Sequence, residues 1–250
     1  MGSTLTGKTA LVTGGSRGIG RAIAKRLGRE GARVGVHYGS NEAAAKETVA
    51  AIEAAGGSAF PVRAQLGVPD DAETLWAAFD TQADGLDILV NNAGVLGDQS
   101  TIEDVTKENF ERVFAVNARA PFFITQLGLR RLRDNGRIIN VSTMLTRGIA
   151  MPQAINYAMS KSPMDVVTRT LAKQLGPRGI TVNTVAPGVV ETDMHEGRLA
   201  GPARQYLESQ VPLGRIGLPE DIADAVAFLA SEDGRWVTGH WLDATGGTML

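Results

Sequence analysis

The chain contains no cysteine, which removes disulfides and thiolate metal ligands. Histidine is scarce: His37, His195 and His240 lie far apart, with no metal-ligand spacing. No metal site is expected. No stretch approaches the roughly 18 uninterrupted apolar residues that a membrane span needs. The first residues, Met1 to Lys8, carry no apolar signal core. An excess of positive charge is also missing. Lys plus Arg number 25 against 27 Asp plus Glu, a net charge of −2. Nothing in that balance points to nucleic acid, and no polybasic run points to an anionic membrane surface. A soluble cytoplasmic protein is expected.

What remains is a chain of 250 residues, 43% hydrophobic, enough for one large core. Short apolar runs alternate with helical periodicity along its whole length. The runs are 9–13, 33–38, 58–64, 86–90, 136–142, 179–185 and 236–242. No Pro/Gly linker divides the chain and no repeat appears. This pattern predicts a single domain over 1–250, an α/β Rossmann fold with a doubly wound, mostly parallel seven-stranded sheet and helices on both faces. Residues 106–129 read as one long helix. Residues 154–176 read as another, which Pro163 should kink just after Lys161. Residues 189–215, with Gly201, Pro202, Pro212 and Gly214, read as irregular and as a mobile lid over the site.

The first run leads into Gly14-Gly15-Ser16-Arg17-Gly18-Ile19-Gly20, and Ile19, Ile23 and Leu27 then recur every four residues. A strand, a Gly-rich turn and a helix start form a receptor for a pyrophosphate. Glycines let the backbone approach the phosphate oxygens, and the helix N-terminus offers free N–H groups. The spacing is Gly-x-x-x-Gly-x-Gly, not the common dinucleotide fingerprint. After the second run, an acid would bind the adenosine 2′-hydroxyl and repel a 2′-phosphate. Tyr38-Gly39-Ser40-Asn41 stand there instead, and the first acid is Glu42. With Arg17 in the turn, NADP(H) is favoured over NAD(H). The fourth run ends in Asn91-Asn92-Ala93-Gly94, which suits either the ligand side of an open sheet or a plain turn. Asn117 falls on an apolar helical stripe and needs a partner if buried. Ser142 ends the fifth run.

Tyr157 and Lys161 are four residues apart, one helical turn on one face. A phenol titrates near pH 10, and a nearby ammonium lowers that value. The pair is an acid/base device for a carbonyl–alcohol couple. Alone, the spacing is as common on ordinary helix faces. The surroundings give it meaning.

Together these stretches resemble the short-chain dehydrogenase/reductase family over essentially the whole chain. The motifs that carry the resemblance are Thr13 to Gly20, Asn91 to Gly94, Asn117, Ser142, Tyr157-x-x-x-Lys161 and Pro187-Gly188. Within the family the chain looks most like 3-oxoacyl-[acyl-carrier-protein] reductases and polyketide or naphthol reductases. The resemblance implies a ketone reduced to a secondary alcohol, with Tyr157 as proton donor and Ser142 holding the carbonyl oxygen. Lys161 would lower the Tyr157 pKa and bind the nicotinamide ribose, and Asn117 would anchor a water in a proton relay. Gly14, Ser16, Arg17, Gly18, Ile19 and Gly20 would hold the pyrophosphate. Tyr38 and Ser40 would lie at the adenosine ribose, and Gln65 and Leu66 at the adenine. Asn92, Ala93 and Gly94 would flank the ribose. Pro187, Gly188, Val190 and Thr192 would meet the nicotinamide carboxamide. A homotetramer and a small-molecule or carrier-bound ketone substrate are implied as well. The chain departs from the family at Gln65, where many relatives have Asp, and at Pro163. Two other readings are an NAD-dependent alcohol dehydrogenase, with Glu42 at the ribose, and a non-catalytic dinucleotide-binding scaffold.

Overall fold

The computed structural model describes residues 5–195 and 199–250. Residues 1–4, and residues 196–198 inside the expected lid, lie outside the described residues. Among the described residues, seven strands form one sheet in the order β3-β2-β1-β4-β5-β6-β7. They are β1 (Thr9–Val12), β2 (Arg33–Tyr38), β3 (Ser58–Arg63), β4 (Leu86–Asn91), β5 (Leu132–Val141), β6 (Thr181–Pro187) and β7 (Trp241–Ala244). Every neighbouring pair is parallel. Strands of such a sheet are covered on both faces, which is why β4 and β6 are buried at every position. Chain order reverses between β1 and β4, so the crevice at their C-terminal ends is the expected ligand position.

The helices are α1 (Gly18–Arg29), α2 (Glu42–Ala54), α3 (Asp71–Asp80), α4 (Lys107–Phe114), α5 (Ala120–Gly128), α6 (Ile155–Leu175), α7 (Gly201–Ser209) and α8 (Pro219–Ala230). One layer packs Ile23, Leu27, Ile52 and Val226 of α1, α2 and α8 on one sheet face. The other packs Leu75, Trp76, Phe79, Ile124 and Leu175 of α3, α5 and α6 on the opposite face.

Four local expectations are corrected. The fifth strand begins at Leu132, not Gly136, because Leu132 pairs with Leu86 ahead of a register shift. The last strand is Trp241–Ala244. Residues before it turn, with Gly239 at φ +71°. The long helix from Thr106 contains a five-residue π-helical segment, Ala115–Arg119. The segment 189–215 is not irregular throughout, since it holds α7. The glycine and proline that suggested breakage, Gly201 and Pro202, open that helix, where proline is tolerated. Arg204 then pairs with Glu208 one turn on at 2.9 Å and with Glu191 at 3.1 Å, fastening α7 to the loop after β6.

Pro163 does not interrupt α6, which runs unbroken through it. Proline removes the N–H that would bond the carbonyl four residues back. The Ser162 hydroxyl donates to that carbonyl, Met159 O, at 2.8 Å.

Candidate active site

The sequence-predicted residues converge on the C-terminal edge of the sheet. The turn 14–20 joins β1 to α1. Arg17 is the N-cap of α1, with no side-chain cap bond, and no acid occupies the first turn. Neither an N-cap side chain nor an acid of the first turn therefore competes for the first amides of α1, which suits an anion receptor. Gly14 and Gly18 take positive φ, +64° and +51°. A Cβ at Gly20 would collide with the Gly14 carbonyl. Thr192, from the loop after β6, closes on this turn. A Cβ at Gly18 would sit 3.3 Å from its Cγ2.

The second Asn of the Asn91-Asn92 pair holds the turn. Asn92 Nδ2 donates to Thr13 O at 2.9 Å and to Gly14 O at 3.3 Å. Thr13, named only within a motif, is the hub. Its hydroxyl accepts from Asn92 N and Ala93 N at 2.9 and 3.0 Å and donates to Val90 O at 3.3 Å. Asn91 points the other way, donating to Thr125 and Asn140 at 3.0 and 2.9 Å. Asn140 continues to Thr168 of α6 at 2.8 Å, and Thr168 meets Thr184 of β6 at 2.8 Å. This buried polar chain fixes α6 against β4, β5 and β6.

On the adenosine side, Tyr38 is buried in the core layer of α1 and α2. Ser40 beyond it is exposed. The Gln65 side chain lies against Gly39, its Oε1 3.1 Å from where a Cβ would stand. Leu66 is buried. The Glu42 carboxylate is engaged by Lys46 at 2.7 Å.

At the other end, Ser142 follows β5, its N–H bonded to Val185 O at 2.9 Å. Its hydroxyl is buried and has no partner among the described residues. Lys161, 4% exposed, donates to Val141 O at 3.1 Å, which places α6 beside that strand end. Burial pushes the Lys161 amine down to about 8. Burial also pushes the Tyr157 phenol up to about 12. Helical spacing alone predicts the opposite direction for Tyr157, from the ammonium. In the folded chain desolvation is the dominant influence on both groups.

Asn117, in the π segment, is fully engaged. Its Oδ1 accepts from Val95 N at 2.8 Å, and its Nδ2 donates to Val95 O at 2.8 Å and to Ser160 Oγ at 2.9 Å. Ser160, which the sequence argument missed, donates in turn to Tyr157 O at 2.7 Å. Its position in the Tyr-x-x-x-Lys turn was the available signal. Gly94 sits at the junction. A Cβ there would stand 2.9 Å from Lys161 Nζ and 3.2 Å from Asn117 Oδ1. Pro187 ends β6, while Gly188 and Val190 continue along the same edge.

Comparison with known proteins gives the class. A family model described as enoyl-(acyl carrier protein) reductase matches residues 14–249. The tetrahydroxynaphthalene reductase of Pyricularia oryzae is 38% identical over 260 residues, covering 99% of this chain and 92% of the relative. The crystal structure of angucycline C-6 ketoreductase LanV with bound NADP is 50% identical with a TM-score of 0.93, covering 99% of this chain and 98% of that one. The structure of LugOII, described as a promiscuous reductase catalysing keto-reduction at C1 during lugdunomycin biosynthesis, is also 50% identical at a TM-score of 0.93, with coverages of 99% and 100%. The chain belongs to the short-chain dehydrogenase/reductase family and is an oxidoreductase.

Proposed function

We propose that the protein is an NADP-dependent ketoreductase that converts a ketone of a polyketide-like, fused aromatic substrate to a secondary alcohol. The observation that carries the site is the buried Ser142 hydroxyl, without a partner among the described residues, at the strand end beside Lys161. The uncapped turn at Gly18 receives the pyrophosphate, and Arg17 and Ser40 are the polar groups available to a 2′-phosphate. No acid replaces them at the end of β2, and Glu42 is held by Lys46, which disfavours the NAD reading. NADPH, when bound, supplies the hydride. Ser142 donates a hydrogen bond to the substrate carbonyl oxygen. Tyr157 gives its proton to that oxygen. The phenol is protonated at neutral pH, as a proton donor must be. Lys161, one turn on, stabilises the charge that develops on Tyr157 and binds the ribose. Asn117 fixes Ser160 and hence the turn that carries Tyr157.

Large apolar side chains remain exposed in the two segments flanking the site: Ile149, Met151, Met194, Tyr206 and Leu213. They suit an extended apolar substrate, and the reductases of similar sequence act on such molecules. The reading includes a cytoplasmic homotetramer. Phe110, Phe122, Phe123 and Val166 stand exposed on α4, α5 and α6, as faces that pair with further copies would. Light scattering tests the assembly, and cell fractionation tests the location.

The deciding experiment follows NADPH oxidation over a panel of fused aromatic ketones and 3-oxoacyl thioesters, with Tyr157→Phe in parallel. Turnover that vanishes in the variant while NADPH still binds supports the reading. Undiminished turnover by Tyr157→Phe overturns the mechanism, and turnover with NADH alone overturns the cofactor.

A further inference from the structure

His37 belongs to β2, within a run that reads from sequence as plain core strand. It is 2% exposed, yet its ring touches the two walls of the dinucleotide crevice. Nδ1 accepts from the Gly14 N–H at 2.9 Å, and Nε2 lies 3.0 Å from Ala64 O. The partners fix the tautomer. A backbone N–H needs a bare nitrogen, so Nδ1 is unprotonated and Nε2 carries the hydrogen that Ala64 O accepts. A second proton would set two N–H groups against each other. Burial accordingly holds the imidazole down to about 4.

The location matters because Gly14 has φ +64°. The direction of its amide is not set by regular structure, and this imidazole is its acceptor. The adjoining backbone reinforces the link, with Gly15 N donating to His37 O at 2.8 Å and Ala64 N to Tyr38 O at 3.1 Å. Ala64 leads directly into Gln65 and Leu66. One neutral side chain therefore couples the phosphate turn to the segment placed at the adenine.

We propose that His37 is a positioning residue of the dinucleotide site: it aims the turn at Gly14 for the pyrophosphate and ties that turn to the end of β3. The proposal rests on reading residues 14–20 as the phosphate turn. It predicts a loss of cofactor affinity, not of chemistry, when the Nδ1 acceptor is removed.

The test is a series at His37 read by NADPH dissociation constant from fluorescence titration, melting temperature without cofactor, and kcat at saturating NADPH. Asparagine places an acceptor oxygen where Nδ1 stands. Glutamine reaches only the Nε2 position, and leucine supplies neither. An unsatisfied buried donor costs enough for roughly a tenfold effect, so His37→Leu and His37→Gln should each weaken NADPH by about tenfold, with kcat within about twofold. His37→Asn should return affinity to within about threefold of the parent. A merely structural histidine would lower the melting temperature in all three and leave affinity unmoved. Equal affinities for the Asn and Gln variants, or an unchanged affinity without the acceptor, overturn the proposal. If the Leu variant does not fold, the Asn–Gln pair still decides. Gly18→Asp, which places a carboxylate in the turn, is the control. If it leaves NADPH binding intact, the turn assignment itself fails. If it abolishes binding while the His37 series is flat, His37 alone is misassigned.

Discussion

Lys161 is needed by the proposed chemistry and disfavoured by the fold, and the conflict is measurable. Lys161 is 4% exposed, and among the described residues its ammonium has one hydrogen bond, to Val141 O at 3.1 Å. Burial moves its pKa from 10.5 to about 8. At about 1.4 kcal/mol per tenfold change in proton affinity, keeping the charge buried at pH 7 costs about 3 kcal/mol. Lys161→Met removes the charge and keeps a similar length. It also forfeits the bond to Val141 O, about 1 kcal/mol net. The variant should therefore be inactive yet more stable than the parent by about 2 kcal/mol at pH 7. The pH dependence supplies the check. Between about pH 8 and 10.5 the unfolded lysine holds its proton and the native one does not, so parental stability rises with pH. The gap should shrink by about 2.5 kcal/mol from pH 7 to pH 10, leaving the two proteins nearly equal. Tyr157 titrates in both and largely cancels in the difference. Denaturant unfolding of parent and variant at both pH values, at one protomer concentration, reads the result. A variant less stable at pH 7, or a gap independent of pH, refutes the claim that Lys161 is buried against a desolvation cost.

Three further outcomes are expected. Asn140→Val strips partners from Asn91 and Thr168 in the buried chain that seats α6, and should cost about 2–3 kcal/mol in denaturant unfolding; a loss under 0.5 kcal/mol would mean the chain is dispensable. Arg17→Ser should raise the KM for NADPH about tenfold and leave that for NADH within about twofold, because an exposed guanidinium in the turn discriminates only through the extra phosphate; parallel changes for both cofactors would remove Arg17 from that role. Pro163→Ala should restore a backbone donor to Met159 O and raise stability by about 1–2 kcal/mol, less than the full cost of about 3 for an interior proline, because Ser162 already bonds that carbonyl; an unchanged unfolding midpoint would show that Pro163 carries no penalty.

Legibility in the sequence followed the range of the interaction. The β1–turn–α1 unit was readable because its signals are local: an apolar run, glycines, then a period of four. The convergence of the candidate site residues was readable from topology, since an open parallel sheet sends every strand's C-terminal end to one edge. What was missed depends on distant partners. Thr13 and His37 look like ordinary members of strand runs, and their roles appear only when Asn92 and Ala64 come alongside. The first part of β5 was hidden because Leu132 pairs with Leu86 across a register shift. Gly201 and Pro202 misled in the opposite sense, being breakers within a helix but suitable residues at its start.

The Tyr157–Lys161 pair shows why spacing alone misjudges electrostatics. Four residues of helix place the two side chains on one face and suggest a strong mutual effect. That inference assumes that the ammonium is fully charged and directed at the phenol. In the folded chain Lys161 Nζ bonds Val141 O, and burial weakens its hold on the proton. The same burial opposes phenolate on Tyr157. Two groups that would titrate close together in water, near 10 and 10.5, are separated to about 12 and about 8. Each change disfavours a charge. In the proposed reduction the phenol would hold its proton until a substrate oxygen begins to gain negative charge beside it. At that moment the nearby lysine, mostly protonated at pH 7, has a charge to stabilise. The packing around α6 thus opposes the phenolate on Tyr157 and weakens the hold of Lys161 on its proton, neither of which the spacing alone discloses.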